Sequence, residues 1–437
     1  MNRQDTSRDA AAGVPRMRSP DRSQVDPNPK RIDDLIPSDH KARLIWELVR
    51  GLDMAPLYAQ IKAVEGHAGR SPIDAQVLTA LWLYATVEGV ASARELNRRC
   101  YDCDPYKWIR GGVDVNYHTL SDFRTDNLQW LKEQVVNNIA AIRAEGLADL
   151  DTLGQDGMRV RASAGNASFK KAETLERLLE ESEQEWDRLQ EGFEQETELS
   201  SRQQAAQERA AREKIERLKQ AQEEVKQVAE QREKRKKGDG ASARASTTDA
   251  EARRMKMGDG GFRPAYNVEF GTDLNSLVIV GAALVNAGSD GGQMEPMVQQ
   301  IEAEQGPLPE DAEYYVDGGF TNKEDIESVG QRGVTVFAPV KEPEKQERQG
   351  KDPYVAKPGD TPQVAAWRER MGTAEAKEKY KQRSKTEWPN AECRNRGLQQ
   401  FLVRGLAKVK AVVLWYVLIH NLLRMVALRA ERAQVSA

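Results

Sequence analysis

Three acidic residues sit where chemistry with a hard cation is possible. Asp156 lies in Leu153-Gly-Gln-Asp156-Gly-Met-Arg159, Asp317 in Tyr315-Val-Asp317-Gly-Gly-Phe320, and Glu387 ends the basic stretch Tyr380-Lys-Gln-Arg383-Ser-Lys-Thr-Glu387. The first two read as strand ends meeting glycine, where the backbone can pass close to a ligand. The third reads as helical. Carboxylate oxygens from two strand ends and one helix make a site for a hard divalent cation. Two Mg²⁺ ions held there would activate a water or a 3′-hydroxyl and stabilise the leaving oxygen of a phosphodiester. Mn²⁺ suits the same oxygens, so the preference for Mg²⁺ rests on availability. With 69 acidic residues in the chain, any three of them are unspecific until their surroundings are considered.

Other chemistries find less support. Cys100-Tyr-Asp-Cys103 is a C-x-x-C pair, but no second pair or spaced histidine pair completes a zinc set. The four histidines (His40, His67, His118 and His420) are scattered. No nucleophile elbow, phosphate loop or dinucleotide fingerprint stands at a strand-to-helix turn.

The elements that must position the acids follow from composition. At 437 residues, with 39% hydrophobic and 31% charged, the chain is long enough for two or three domains and too charged to be core throughout. A net charge of −4 excludes coating DNA by bulk charge, so a nucleic-acid role must use local basic patches. One such patch spans residues 376–437, with thirteen Lys and Arg against four Asp and Glu. Three cysteines make no disulfide framework, which fits a reducing, cytoplasmic setting. The polar first thirty residues lack a secretory h-region. The apolar stretch 411–428 is interrupted by His420, Asn421 and Arg424 and reads as a buried helix rather than a membrane span.

Residues 1–30, with four prolines among polar residues, read as a flexible tail. Helical spacing over 31–145 predicts a helical N-terminal domain, with helix starts at Ser71-Pro72, Ser92 and Thr119. Its Arg98 and Arg124 are candidates for contacting DNA ends. Residues 167–237 carry a thin apolar seam with charged flanks, the pattern of a coiled coil. Residues 170–199 hold four basic against eleven acidic residues, and 200–237 hold twelve against seven. Opposite charge on the two arms, joined near 192–201, predicts an antiparallel hairpin pairing with itself. Residues 238–258 read as a linker. Strand-like runs at 150–160, 265–270, 277–285, 313–316 and 334–339 then alternate with helices, so 146–166 and 259–430 form a mixed α/β domain with the hairpin as an insertion.

The flanking sequences resemble the DDE transposases of bacterial insertion sequences, in the group with a Y-x2-R-x3-E-x6-K signature. Tyr380, Arg383, Glu387 and Arg394 stand at those spacings, with arginine in the lysine place. The segments 69–74 and 117–124 resemble that family's N-terminal domain, and 253–267, 316–322 and 403–409 its core blocks. The resemblance implies a ribonuclease-H-like core, with Asp156 on the first strand, Asp317 after the fourth and Glu387 on a late helix. It further implies metal-dependent cleavage at terminal inverted repeats, strand transfer into target DNA, and a homodimer in the synaptic complex. Tyr380, Arg383 and Arg394 would orient phosphates. At about 100° per residue, offsets of 3, 7 and 14 put the four signature residues within roughly 60° of one helical face. Pro389 predicts a kink or a break of that face between Glu387 and Arg394, leaving Glu392 as an alternative third acid. Two rival functions are a nuclease of the same fold without strand transfer and an inactive DNA-binding or coiled-coil scaffold.

Overall fold

The computed structural model describes residues 16–24, 31–63, 71–195 and 201–435. The first third is helical: α1 Lys41–Arg50, α2 Ala55–Tyr58, α3 Ala75–Val87, α4 Ala93–Asp102, α5 Asp104–Arg110, α6 Tyr117–Asp126 and α7 Leu128–Ala144. Helix α3 is buried from Ala75 to Thr86, since its residues are apolar on every side and the other helices wrap it. The helix starts are partly shifted from expectation. Ser92 caps α4, but α3 is capped by Asp74, whose carboxylate accepts from Gln76 N at 2.9 Å, and α6 by Asn116, which accepts from Thr119 N at 3.0 Å. Asp and Asn are at least as good caps as a hydroxyl, so α3 starts a turn later than Ser71 would set it and α6 a turn earlier than Thr119 would. The tail expected over 1–30 falls partly outside the described residues. Its described part, 16–24, is docked: Asp21 N donates to Gly111 O, and the Arg22 guanidinium lies 3.8 Å from the Trp46 ring centroid.

The remaining elements are β1 Thr152–Arg161, β2 Phe169–Lys170, α8 Ala172–Gln195, α9 Ser201–Arg235, β3 Ala245–Ser246, β4 Arg253–Lys256, β5 Phe262–Asp273, β6 Ile279–Val285, α10 Met294–Gln305, β7 Glu313–Tyr315, α11 Lys323–Gln331, β8 Thr335–Phe337, α12 Pro343–Arg348, α13 Pro362–Gly372, α14 Ala374–Tyr380, a 3-10 helix Lys381–Thr386, α15 Glu387–Asn395 and α16 Leu406–Val435. Six strands form one mixed sheet. β1 pairs antiparallel with β5 on one side and parallel with β7 on the other, and β8 continues parallel to β7. β6 and β4 follow one another along the free edge of β5. The molecule is thus a mixed helix-and-sheet protein, with β1 at the sheet centre.

Helix α16 is the one described helix long and apolar enough to cross a membrane, and most of its apolar run is buried inside the protein. It lies against α7, α6, α3 and β6. The polar residues that interrupt its apolar run pin it to the sheet. The Asn421 amide accepts from Ile279 N at 2.9 Å and donates to Ile279 O at 2.8 Å, while His420 Nε2 lies 2.9 Å from Leu277 O and Arg424 Nε donates to Ser276 O at 3.0 Å. Asn421 therefore satisfies backbone groups that the edge strand β6 would otherwise leave bare.

Between β1 and β4 the chain makes an antiparallel helical pair. Glu185 meets Lys214 at 2.8 Å and Glu183 meets Lys219 at 2.9 Å, so the acidic arm α8 lies along the basic arm α9. A small core of its own, including Leu175, Leu218, Ala221 and Val225, holds the pair. The join near 192–201 falls largely outside the described residues. β2 and β3 close the base of the pair, with Phe169 opposite Ser246 and Lys170 opposite Ala245. The segment 238–258, expected to be a linker, instead contributes β3 and the sheet strand β4. Its Gly, Ser and Ala content masks two short pairings that only partner strands reveal.

Candidate active site

Asp156 is at the middle of β1, directly opposite Phe270 of β5. Asp317 follows β7 by two residues, and parallel pairing of β7 with β1 brings it beside Asp156. Gly319 N donates to Asp317 Oδ1 at 2.7 Å, and Gly157 N to Asp156 Oδ1 at 2.9 Å. The third acid arrives through an irregular element. After α14 the chain tightens into the 3-10 helix before α15 begins at Glu387. In a 3-10 helix, residues three apart eclipse one another, so Tyr380, Arg383 and Thr386 face the sheet together. The Tyr380 hydroxyl donates to Val316 O at 3.1 Å, and Thr386 is buried over Gly154, where an added Cβ would collide with its Cγ2.

Arg383 then lies among all three acids. Its Nη2 is 3.5 Å from Asp156 Oδ1 and 3.6 Å from Asp317 Oδ2, and its Nη1 is 3.1 Å from Glu387 Oε1. Two carboxylates sharing one nitrogen at such distances are no more than about 7 Å apart, a span that a bridged ion pair covers. Burial pushes the Asp156 carboxyl above its usual range, and the Asp317 charge adds to this. The Arg383 charge, the Gly157 N–H and Asn390 oppose it. Glu387 is mostly exposed, Asp317 partly so.

The signature face differs from the one expected of an uninterrupted α-helix. The irregularity precedes Glu387, and α15 runs unbroken through Pro389. That proline occupies the third helical position, whose N–H needs no partner within the helix, so it costs no hydrogen bond there. Arg394 is exposed and makes no side-chain hydrogen bond or ion pair among the described residues. Glu392, the alternative third acid, is engaged elsewhere, with Arg396 and with His420 Nδ1 at 2.8 Å.

The two arginines of the N-terminal helices part company. Arg98 is exposed, but Glu95 at 2.8 Å and Asp102 at 3.6 Å hold its guanidinium. Arg124, expected to contact DNA, is buried. It donates to Ala91 O at 2.5 Å, stacks over Trp82 at 4.4 Å, and its pKa is pushed down to about 10 by burial. It offers no surface to a phosphate, because α16 covers α6. Cys100 is buried, its thiol pushed up to about 12 by burial.

Sequence reasoning missed several polar groups. Asn390 Nδ2 donates to Asp156 Oδ2 at 3.0 Å; its position three residues after Glu387, on the same helical side, was the available signal. On the other face of the sheet, Glu269 is fully buried between Gln155 (2.5 Å) and Asn267 (3.0 Å), and Asn267 also donates to Asp290 Oδ1 at 2.8 Å. Burial pushes Glu269 up to about 8. A polar residue inside an alternating strand was its only trace.

Among the described residues no three His, Cys, Asp or Glu side chains are already gathered as a metal cage. Arg383 stands between the acids. The donor set nonetheless fits a hard divalent cation: three carboxylates converge on one cationic group, and the most buried of them is penalised without a neighbouring positive charge.

A mixed sheet thus brings carboxylates from its central strand and from a late helix onto the Arg383 guanidinium, and comparison with known families adds to this geometry. Residues 30–126 match the family described as a transposase domain (DUF772), and residues 348–426 match a transposase DDE domain. The two matches together support a DDE transposase of the insertion-sequence type. Enzymes of this kind generally use divalent metals. The DDE match contains Tyr380, Arg383, Glu387 and Arg394, while Asp156 and Asp317 lie outside it. No curated protein and no solved structure matches the chain.

Proposed function

We propose that the protein binds the terminal inverted repeats of its element, cleaves the DNA at their ends, and joins the 3′-hydroxyl to target DNA. The convergence of Asp156, Asp317 and Glu387 on the Arg383 guanidinium is the observation that carries this reading. It is consistent with a ribonuclease-H-like core: the first acid on the central strand, the second after a strand parallel to it, the third at the start of a late helix. Asp156, Asp317 and Glu387 would hold the divalent cations, which when bound supply Lewis-acid activation of the attacking oxygen and charge neutralisation at the leaving one.

The chain's own residues do the positioning. Gly157 N–H and Asn390 orient the Asp156 carboxylate, and Gly319 N–H orients that of Asp317. Tyr380 anchors the 3-10 helix to the end of β7, which sets the reach of Arg383. Arg383 neutralises the acids before cations arrive, and a guanidinium freed from them suits a phosphate oxygen of the bound end. Arg394 is available for the same backbone further along, and Arg98 for the terminal repeat if it leaves Glu95. Two DNA ends must be held together for joining, so a homodimer is proposed for the DNA-bound state.

The test uses purified protein, Mg²⁺, a duplex ending in the repeat that flanks the gene, and a target plasmid. Cleaved ends and joined products are both expected. Asp317→Asn should reduce both by about a thousandfold or more while retaining binding of the duplex. Cleavage without any joined product would favour a nuclease, and an active Asp317→Asn protein would favour a scaffold role with adventitious activity.

A further inference from the structure

A cleft of about 820 Å³ runs between α9, β4 and the segment after β6, and it ends at Gly319, whose N–H holds Asp317. Its wall is unusually basic for an acidic protein. Arg159, Arg232, Arg244, Arg253 and Arg254 line it, against the single acid Asp290. Arg253 is committed to a part-buried ion pair with Glu224 that ties β4 to α9. Two of the others are not committed to a partner. Arg244 and Arg254 are exposed and have no hydrogen-bond or ion-pair partner among the described residues. Arg232 donates to Ser242 Oγ at 2.6 Å and lies 3.9 Å from Asp239, and Arg159 donates to Lys256 O at 3.2 Å and Gly288 O at 3.3 Å and lies 3.8 Å from Asp290. Phe262 lies in the same wall and is 55% exposed, at the first position of β5 opposite Lys256. The cleft thus offers a half-exposed aromatic face together with the uncommitted guanidinium groups of Arg244 and Arg254.

We infer that this cleft binds a single DNA strand, its phosphates on Arg244 and Arg254 and one base stacked on Phe262, leading toward Asp317. Guanidinium groups track a phosphate backbone whatever its sequence, and an aromatic face accepts any unstacked base. The volume suits a short stretch of strand and is far too small for a duplex, whose bases are in any case already stacked. The helical insertion thus supplies one wall of a strand channel. Arg232 comes from α9, Arg159 from β1, and Arg244, Arg253 and Arg254 from the segment that returns the chain to the sheet. The inference deepens the transposition reading, and rests on it only for the strand's course toward the acids.

The test is binding of a fluorescein-labelled 15-nucleotide oligothymidine, and of a duplex of equal length, by the full-length protein in Mg²⁺-free buffer, followed by fluorescence anisotropy across a salt series. Phe262→Ala should weaken oligothymidine binding by roughly 5- to 100-fold and leave duplex binding within about twofold. Arg244→Ala with Arg254→Ala should reduce the salt slope for the single strand by about 1.4, or 0.7 per lost phosphate contact. Both variants change exposed side chains, and unchanged thermal melting confirms that they fold. Oligothymidine binding equal to wild type in both variants, or an equal loss for single strand and duplex, overturns the inference. Because no chemistry is read, the two proposals fail separately. An active Asp317→Asn protein sinks the catalytic reading with the cleft intact, whereas silent cleft variants sink the cleft with catalysis intact.

Discussion

Arg383 is the residue on which the site turns. One guanidinium serves three carboxylates, of which Asp156 is largely buried, so its removal leaves like charges facing one another. Arg383→Ala should therefore destabilise the protein by about 2 kcal/mol in EDTA, with a smaller deficit in Mg²⁺ as cations replace the lost charge. Urea unfolding in the two buffers checks this, and equal deficits would contradict it. Glu269 gives a second prediction. Its folded-state pKa is raised to about 8, chiefly by burial, so the folded protein keeps a proton that the unfolded chain releases above about pH 4.5. Stability should then fall as pH rises from about 4.5 to 8, on the order of 1 kcal/mol per pH unit. Glu269→Gln cannot ionise and should lack this slope, which thermal melting across the same range would read.

At the scale of elements, the 3-10 helix between α14 and α15 decides where the third acid and Arg383 fall. Its docking depends on Gly154, which leaves room on β1 for Thr386. Gly154→Ala should push this helix off the strand and lower end cleavage by about tenfold or more. Unfolding of this variant should still be cooperative, because the change is one methyl at a local contact. Cleavage at the wild-type rate would show that the helix is not held as described. The same element accounts for the behaviour of Pro389, which is harmless where it stands because α15 starts only two residues earlier.

At the scale of the molecule, the N-terminal helices and the sheet share one continuous core around α3 and α16, while the pair α8 and α9 has a separate small one. The base of the pair is closed by β2 and β3. Replacing 172–235 by a short glycine-serine link should leave the main melting transition within a few degrees of wild type, since the large core is untouched. It should also abolish the preference for single strands that the cleft confers, because α9 is one of its walls. A collapse of the main transition would show that the insertion is part of the central core after all.

Much of the fold was legible along the chain. Alternation marked the middle of β5, three residues short at each end, strand-like runs marked β1 and β6 to within about two residues, and the charge division of 170–237 predicted a self-pairing hairpin, because each of these is a local pattern that neighbouring residues dictate. The spacing of Tyr380, Arg383 and Glu387 likewise marked a functional stretch, although its face was computed for the wrong kind of helix. What the sequence could not contain was the environment of each side chain. Arg98 and Arg124 look alike as letters, yet α16 buries Arg124 against Trp82 while Arg98 stays in water. β4 hid in a stretch that reads as a linker, since a four-residue strand exists only through its partner. The meeting of Asp156, Asp317 and Glu387 across more than two hundred residues was decided by parallel pairing of β7 with β1 and by a 3-10 helix docked over Gly154, contacts whose free energy depends on distance in space and leaves no local periodicity to read.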